Sequence, residues 1–191
     1  MNLQERYEKQ LKRQGDMAPY LPVLKEYGSR CNHITEMGFR EGVSTWGLLA
    51  SEPKTFITYD ISNCDSNEHA SLSNCNFKFI KANTLEIEIE ETDLLFIDTD
   101  HQYKQLRGEL DLHSDNVRKY IIMHDTVLFG TEDAGWRPND YKDYKHLLKN
   151  YPNKEGLKVA IEDFLETNNK WKIEKIFDEN KGLTVLRRKD I

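Results

Sequence analysis

DLLFIDTDHQYKQLRGELDLHSDNVRKYIIMHDT, residues 93–126, is the segment from which the fold of this chain can be worked out. Two short apolar runs, 94–97 and 120–123, have the length of buried strands. Between them, apolar residues recur with helical spacing at Tyr103, Leu106 and Leu110. A connection that contains a helix makes the two strands parallel, and we expect them to be neighbours in one sheet.

A polar cluster follows each of these two strands. Asp98 to His101 follow the first, and His124 to Thr126 follow the second. Parallel strands end at the same edge of a sheet, so the two clusters are expected to lie close together. Open α/β sheets bind ligands at this edge. The sequence therefore predicts a ligand site there.

Composition limits the partners of the chain. Its 191 residues carry a net charge of −6, which argues against binding to nucleic acid or to an anionic membrane surface. The sequence shows neither a signal-peptide pattern nor an apolar run of membrane-spanning length. Its 3 cysteines lack CxxC spacing, so we expect reduced thiols and a cytoplasmic protein. A small-molecule ligand fits best, and a homodimer is compatible with this composition.

Residues 1–28 are predicted to form an N-terminal helical cap, with one or two amphipathic helices that break near Gly15 and Pro19. This cap is expected to cover the sheet edge or the mouth of the ligand pocket. Residues 29–191 are predicted to form the main domain.

Residues 126–152 are predicted to form a lid-like insertion within this domain. Trp136 and Arg137 would stack on and clamp a ligand, and a solvated insertion is the alternative. Beyond it, two β runs flank the turn residues 178–182 and predict a C-terminal antiparallel hairpin.

A glycine loop follows the first predicted strand, residues 32–37. Gly38 and Gly42 allow the backbone to turn sharply into a helix and to approach a ligand closely. The second predicted strand ends in Asp60, about 20 residues beyond the loop, where a carboxylate accepts hydrogen bonds from ribose hydroxyls. The cofactor is therefore expected to contain a nucleoside.

The loop residues indicate which nucleoside. A dinucleotide site would have the pattern G-x-G-x-x-G, whereas Phe39 and Arg40 occupy the middle of this loop. Glu36 would repel a pyrophosphate but suits a cationic amino-acid group, directly or through water. S-adenosylmethionine therefore fits better than NAD. Asn83, after the third predicted strand, is a candidate for the adenine edge, and a turn-forming Asn is the alternative.

Asp98 and Asp125 stand at two strand ends and can together hold Mg²⁺ or Mn²⁺. The metal would lower the pKa of a substrate hydroxyl, and Asp100 or His101 would accept its proton. With His101 and His124 the ligand set becomes softer and also admits Fe²⁺ or Zn²⁺. The alternative is structural, with the two carboxylates capping the helices that follow them.

In order and spacing, these motifs resemble those of the class I S-adenosylmethionine-dependent methyltransferases. They are Glu36-Met-Gly38, Gly42-Val-Ser44, Asp60, Asn83, Phe96-Ile-Asp98-Thr-Asp100-His101-Gln-Tyr103 and Met123-His124-Asp125-Thr126. The chain looks most like the branch grouped with cephalosporin hydroxylase and metal-dependent sugar O-methyltransferases, and more distantly like catechol O-methyltransferase. The resemblance covers residues 30–188. It implies a Rossmann-like three-layer α/β/α sandwich whose mostly parallel seven-stranded sheet ends in the C-terminal hairpin.

The resemblance also implies roles for individual residues. A cofactor site would include Glu36, Gly38, Gly42, Ser44, Asp60, Asn83 and Asp98. Asp98 and Asp125 match the family residues that hold a divalent metal, and Asp100 matches a general base of the sugar methyltransferases. His124 replaces an acidic residue of those enzymes and joins Asp98 and Asp125 as a candidate metal ligand.

The leading hypothesis is a metal-assisted O-methyltransferase that uses S-adenosylmethionine and acts on a small hydroxylated molecule such as a sugar, with Asp100 and His101 as catalytic residues. An iron-dependent oxygenase is a second hypothesis, with His101, His124 and a carboxylate as a facial triad. A non-catalytic binding module on the same fold is a third.

Overall fold

The computed structural model describes residues 1–135 and 145–189. The helices are α1 (Leu3–Leu11), α2 (Leu21–Gly28), α3 (Val43–Leu49), α4 (Asn67–Leu72), α5 (Tyr103–His113) and α6 (Leu157–Thr167). The strands are β1 (His33–Met37), β2 (Thr55–Asp60), β3 (Asn76–Lys81), β4 (Thr92–Ile97), β5 (Val117–His124), β6 (Trp171–Phe177) and β7 (Leu183–Arg188). Short 3-10 turns lie at Ala18–Tyr20, Ser114–Asn116 and Lys145–Leu148. Within these ranges, no helix combines the length and apolarity needed to cross a membrane.

The seven strands form one sheet in the order β3-β2-β1-β4-β5-β7-β6. β1 to β5 run parallel to one another, whereas β7 runs antiparallel to both β5 and β6. The predicted α/β fold is therefore confirmed, including its mostly parallel seven-stranded sheet and its C-terminal antiparallel hairpin.

Helices cover both faces of the sheet, which is why β4 is buried along its whole length. Leu94 and Phe96 point to one face, into a core shared with α1, α2 and α3. Leu95 and Ile97 point to the other face, into a core shared with α5 and α6. Alternate side chains of β4 thus pack against the helices on opposite faces of the sheet, which gives the fold its three layers.

The N-terminal residues form two helices, α1 and α2, separated by a connector and a 3-10 turn that contain Gly15 and Pro19. Leu3, Tyr7 and Leu24 from these helices belong to the same core as the sheet. The division of the chain at residue 28 stays a prediction.

The carboxyl ends of β1, β4 and β5 meet at one edge of the sheet. Met37 pairs with Ile97, and Ile97 pairs with Met123, so the residues that follow these three lie side by side. The topology therefore brings together the glycine loop and the two polar clusters.

Candidate active site

Two cavities open at this edge of the sheet. The small cavity, about 180 Å³, lies at the ends of β2, β3 and β4. The large cavity, about 630 Å³, lies at the ends of β1, β4 and β5 and extends to residues 13–18 of the N-terminal segment. A shared wall separates them, and it consists of Gly38, Arg40, Asp98 and Thr99.

The loop of residues 38–42 connects β1 to α3 and requires glycine at both ends. Gly38 has a φ of 91°, and a Cβ there would collide with the carbonyl oxygen of Asp98. Gly42 has a φ of 65°, and a Cβ there would collide with the ring of His69. Gly38 belongs to the shared wall. Gly42 lines neither cavity, and its predicted contact with the cofactor stays a prediction.

Glu36 lies beneath this loop and is fully buried. Its Oε1 accepts a hydrogen bond from the Ser44 hydroxyl (2.7 Å), and its Oε2 accepts from Thr45 (2.7 Å) and Thr58 (2.8 Å). Burial raises the pKa of Glu36 to about 7, against the lowering effect of these hydroxyls. Glu36 lines neither cavity, and its predicted contact with the cofactor, directly or through water, stays a prediction. Ser44, in contrast, does line the large cavity.

Asp60 lines the small cavity at the end of β2. Its Oδ2 accepts a hydrogen bond from the backbone N–H of Arg40 (2.8 Å), and its Oδ1 accepts from that of Ser62 (2.8 Å). These bonds fix the carboxylate, and each oxygen keeps a second lone pair. Apolar lining residues of the small cavity include Ile61 and Ala82. The surroundings of Asp60 therefore suit the ribose contact predicted for it.

Asn83 and Asp100, two other predicted site residues, also line the small cavity. Asn83 Oδ1 accepts a hydrogen bond from the backbone N–H of Leu85 (3.1 Å), which is the turn-forming alternative. Asp100 is buried and lines the small cavity but not the large one. Asp100 thus lies on the small-cavity side of the shared wall, and its predicted role as a general base stays a prediction.

Sequence reasoning missed a buried network beneath the small cavity. Glu109 of α5 is fully buried. Its Oε1 accepts hydrogen bonds from the Thr84 hydroxyl (2.6 Å) and from the Gln105 amide (2.8 Å). Its Oε2 accepts a hydrogen bond from the Thr99 hydroxyl (2.8 Å). Burial raises the pKa of Glu109 to about 7. The network joins the loops after β3 and β4 to α5. Its only sequence signal is that positions 105 and 109 adjoin the apolar stripe of the helix.

Residues 13–18 of the N-terminal connector line the large cavity, and we call this segment its roof. An ion pair between Arg13 and Glu41 (2.5 Å) ties the roof to the glycine loop. A second pair, between Asp16 and Lys181 (2.5 Å), ties it to the turn between β6 and β7. These residues come from distant parts of the chain, and no local pattern identifies them.

Two aspartates and two histidines crowd together on the wall of the large cavity. His101 Nε2 lies 3.2 Å from Asp98 Oδ1 and 3.0 Å from Asp125 Oδ2. His124 Nδ1 lies 3.5 Å from Asp98 Oδ2 and 3.4 Å from Asp125 Oδ1. One atom each from Asp98, His101 and Asp125 lie within 4.8 Å of one another, a spacing that suits a shared metal ion. Both histidines therefore lie beside the two carboxylates, and the predicted role of His124 as a metal ligand stays a prediction.

The two histidines of this cluster and Asp98 shift one another's pKa values. Burial opposes the charged form of His101, but hydrogen bonds to Asp125 and Asp98 outweigh it and raise the pKa of His101 to about 9. The pKa of His124 is also raised, because its contact with Asp98 outweighs burial. Burial alone would raise the pKa of Asp98, but the two histidines lower it. In the absence of a cation this raised pKa favours the protonated form of His101, and its predicted role as a base stays a prediction.

Two residues at this edge have left-handed backbone conformations that are uncommon outside glycine. Asp125 has a φ of 60°, and Arg40, in the shared wall, has a φ of 49°. Such strained residues are enriched at functional sites.

The predicted lid-like region is described only in part. Trp136 and Arg137 lie outside the described residues, so their predicted contacts stay predictions. The described residues before them pack on the site: the Phe129 ring stacks on His101 at 4.9 Å, and the backbone N–H of Ala134 donates to the His101 carbonyl (2.9 Å).

Comparison with known proteins identifies the fold. No protein-family model and no curated protein matches the sequence. Among solved structures, a caffeoyl-CoA O-methyltransferase-like protein from Staphylococcus aureus is similar over 97% of this chain and 90% of its own, with 14% identity and a TM-score of 0.64. The fold of this chain is that of the class I methyltransferases.

Two further methyltransferases with this fold were solved with bound S-adenosylhomocysteine. Magnesium protoporphyrin IX methyltransferase from Synechocystis is similar over 96% of this chain and 93% of its own, with 10% identity and a TM-score of 0.59. A methyltransferase from Podospora anserina is similar over 98% and 88%, with 17% identity and a TM-score of 0.55. The narrower resemblance to sugar O-methyltransferases stays a prediction.

Proposed function

We propose that this protein is an S-adenosylmethionine-dependent methyltransferase that methylates a hydroxyl group of a small molecule with the help of a divalent metal. The observation that carries this proposal is the shared wall. Asp60 lies in the small cavity, and the cluster of Asp98, His101 and Asp125 lies in the large cavity. A methyl donor in the first and an acceptor in the second would meet beside Asp98.

The residues of the small cavity fit a nucleoside. Asp60 is held by two backbone N–H groups, so its remaining lone pairs can accept hydrogen bonds from ribose hydroxyls. Ile61 and Ala82 provide apolar contact for a base. When bound, S-adenosylmethionine would supply an electrophilic methyl group on its sulfonium sulfur.

The cluster in the large cavity fits a divalent metal. Asp98, His101 and Asp125 offer two oxygens and one nitrogen, a donor set that suits Mn²⁺, Fe²⁺ or Zn²⁺ as well as Mg²⁺. When bound, the metal would lower the pKa of the acceptor hydroxyl. The roof of the large cavity would limit the access of water during the reaction.

The reaction balances without further reactants. The acceptor oxygen forms a bond to the methyl carbon, and the carbon–sulfur bond breaks with its electron pair passing to sulfur. The hydroxyl proton leaves to solvent or to a basic group of the site. A small hydroxylated acceptor, such as a sugar, is part of the proposal because charged and polar side chains of the cluster line the large cavity.

Calorimetric titration with S-adenosylhomocysteine tests the proposal, with NAD as the control ligand, in EDTA and then with Mn²⁺ or Mg²⁺. We expect micromolar binding of S-adenosylhomocysteine and none of NAD. Asp60→Ala should weaken binding about 100-fold, because two charge-assisted hydrogen bonds are lost. Asp65→Ala is the matched control, since Asp65 is an exposed aspartate of the same loop that caps a turn at Asn67 and lines neither cavity.

Absence of binding in every condition would contradict the methyltransferase proposal. The iron-dependent oxygenase remains the second candidate, because both histidines contact Asp98 and Asp125 in this cluster. It requires bound iron and oxygen uptake with a 2-oxo acid. A protein that shows neither activity would be a binding module on this fold.

A further inference from the structure

Gln105 of α5 lines the small cavity, with only 4% of its surface exposed. Its Nε2 donates one hydrogen bond to Glu109 Oε1 (2.8 Å) and one to Thr84 Oγ1 (3.2 Å). An amide nitrogen carries two hydrogens, so both are engaged. The side-chain nitrogen of Gln105 therefore has no further N–H group to offer a ligand.

The amide oxygen of Gln105 is in the opposite situation. It is buried, and no described residue donates a hydrogen bond to it. A buried acceptor without a donor is unfavourable, and in a native site it calls for an explanation. Because Gln105 lines the small cavity, a ligand that carries an N–H donor would satisfy this oxygen.

The surrounding network prevents the amide from turning round. Exchanging its oxygen and nitrogen would bring the oxygen against the carboxylate of Glu109. Glu109 is itself fixed by the hydroxyls of Thr84 and Thr99. The carbonyl oxygen of Thr84 is in turn 2.8 Å from Nε2 of the buried His113. Gln105 is thus held as an acceptor.

We propose that Gln105 determines the base specificity of the small cavity by accepting a hydrogen bond from the amino group of a 6-aminopurine. This inference rests on the proposed function, because it takes the base of S-adenosylmethionine as the ligand. A 6-oxopurine has an oxygen acceptor where adenine has its amino donor. That oxygen would face Gln105 Oε1 with no proton between them, so the site rejects it.

Asn83, the residue that sequence reasoning selects for the adenine edge, is less suited to this role. Its Oδ1 already accepts a hydrogen bond from the backbone N–H of Leu85. The acceptor of Gln105 has no such partner, which is the difference that decides between the two residues.

Calorimetry at about pH 8, above the pKa of about 7 for Glu109, compares S-adenosylhomocysteine with S-inosylhomocysteine, in which oxygen replaces the amino group. We expect the adenosyl ligand to bind about 10- to 100-fold more tightly. Gln105→Met removes the amide at similar volume. It should weaken the adenosyl ligand about tenfold and leave the inosyl ligand little changed, so the ratio of the two affinities approaches unity.

Gln102→Met is the matched control. Gln102 is equally buried, has an unpartnered Oε1 and donates from Nε2 to the Ala134 carbonyl, but it lines neither cavity. This variant should keep the wild-type ratio. Glu109→Gln gives an independent readout, because it releases the Gln105 amide to turn and offer an N–H group. The inosyl ligand should then bind more tightly than it binds the wild type, which mere loosening of the fold would not cause.

The outcomes separate this inference from the proposed function. If S-adenosylhomocysteine binds but the wild type does not discriminate against the inosyl ligand, the role of Gln105 is refuted and the proposed function stands. The same holds if Gln105→Met keeps the wild-type ratio. If S-adenosylhomocysteine does not bind at all, the proposed function is refuted first.

Discussion

The small and the large cavity share a wall, but their polar groups are organised differently. In the small cavity, Asp60 is fixed by backbone N–H groups and Gln105 by a buried carboxylate, so each polar atom has one orientation. In the large cavity, each of two histidines lies within 3.5 Å of both aspartates, so the polar atoms share their partners.

This difference indicates that the two cavities are suited to different tasks. A fixed set of acceptors suits recognition of one rigid ligand, whereas a cluster of histidines and aspartates suits the exchange of protons for a metal cation. The roof of the large cavity is also held less firmly than the network beneath the small cavity. Its two ion pairs join side chains that are 38–58% exposed, and such pairs contribute at most about 1 kcal/mol each. The roof is therefore easier to displace than the network beneath the small cavity.

The largest expected effect is on the affinity of the large cavity for a metal ion, with the small cavity unaffected. Asp125→Asn keeps the side-chain shape and suits the left-handed backbone, but it removes one carboxylate ligand from the cluster. Mn²⁺ affinity, measured by calorimetry at about pH 8, should fall by about 100-fold or more. Binding of S-adenosylhomocysteine in EDTA should stay near the wild-type value, because Asp125 lines only the large cavity.

Asp115→Asn is the matched control for this metal test. Asp115 precedes the opposite end of β5 and forms an exposed pair with Lys170 (2.7 Å). It should leave the affinity for Mn²⁺ unchanged. Equal loss of both ligands in Asp125→Asn would mean that the two cavities act as one site.

The next largest effect is on the pH dependence of the unfolding free energy, through the carboxylate of Glu109 beneath the small cavity. The pKa of Glu109 is raised from 4.5 to about 7 by burial, so between these values the folded protein binds more protons than the unfolded chain. This contribution to stability is fully present below about pH 4.5 and is lost as the pH rises through 7. Relative to Glu109→Gln, which does not titrate, the wild type should lose about 3 kcal/mol of unfolding free energy across this window.

Urea denaturation at a series of pH values measures this difference directly. Taking the difference between wild type and Glu109→Gln cancels the titration of the histidines, which is common to both proteins. Glu166→Gln changes an exposed glutamate of α6 and should give a flat difference curve. A flat curve for Glu109→Gln as well would show that the carboxylate is better solvated than its burial indicates.

Much of this architecture follows from local sequence patterns. Apolar runs that stop at polar residues predict strands and their ends, and parallel topology then brings Asp98 and Asp125 together across β4 and β5. The helix of residues 103–113 follows from apolar spacing, whereas α4 is only six residues long, and the sequence analysis gives no prediction for it.

The features that the sequence does not reveal have a common physical cause, which is that hydrogen-bond partners come from distant elements. Glu36 precedes the glycine loop as a cofactor residue would, but hydroxyls from α3 and β2 occupy its oxygens. Gln105 looks like an ordinary polar helix residue until Glu109 and Thr84 fix its amide. Tertiary hydrogen bonds of this kind leave no periodic signal in the sequence.

The smallest expected effect concerns the backbone of the shared wall. Arg40 is left-handed with a φ of 49°, a conformation that costs a non-glycine residue roughly 1–2 kcal/mol. Arg40→Gly relieves this strain, but the unfolded chain also gains freedom, which offsets about 0.5–1 kcal/mol. Urea denaturation should therefore show a net stabilisation of about 0.5–1 kcal/mol.

Glu52→Gly separates the backbone effect from the loss of the Arg40 side chain. Glu52 has a φ of 56° but lines neither cavity, so this variant should show the same gain in stability with unchanged affinity for S-adenosylhomocysteine. Arg40→Gly should alter that affinity, because its side chain forms part of both cavities. If both glycine variants bind the ligand like the wild type, the shared wall contributes through its backbone alone, and the contact between the two cavities reduces to Gly38, Asp98 and Thr99.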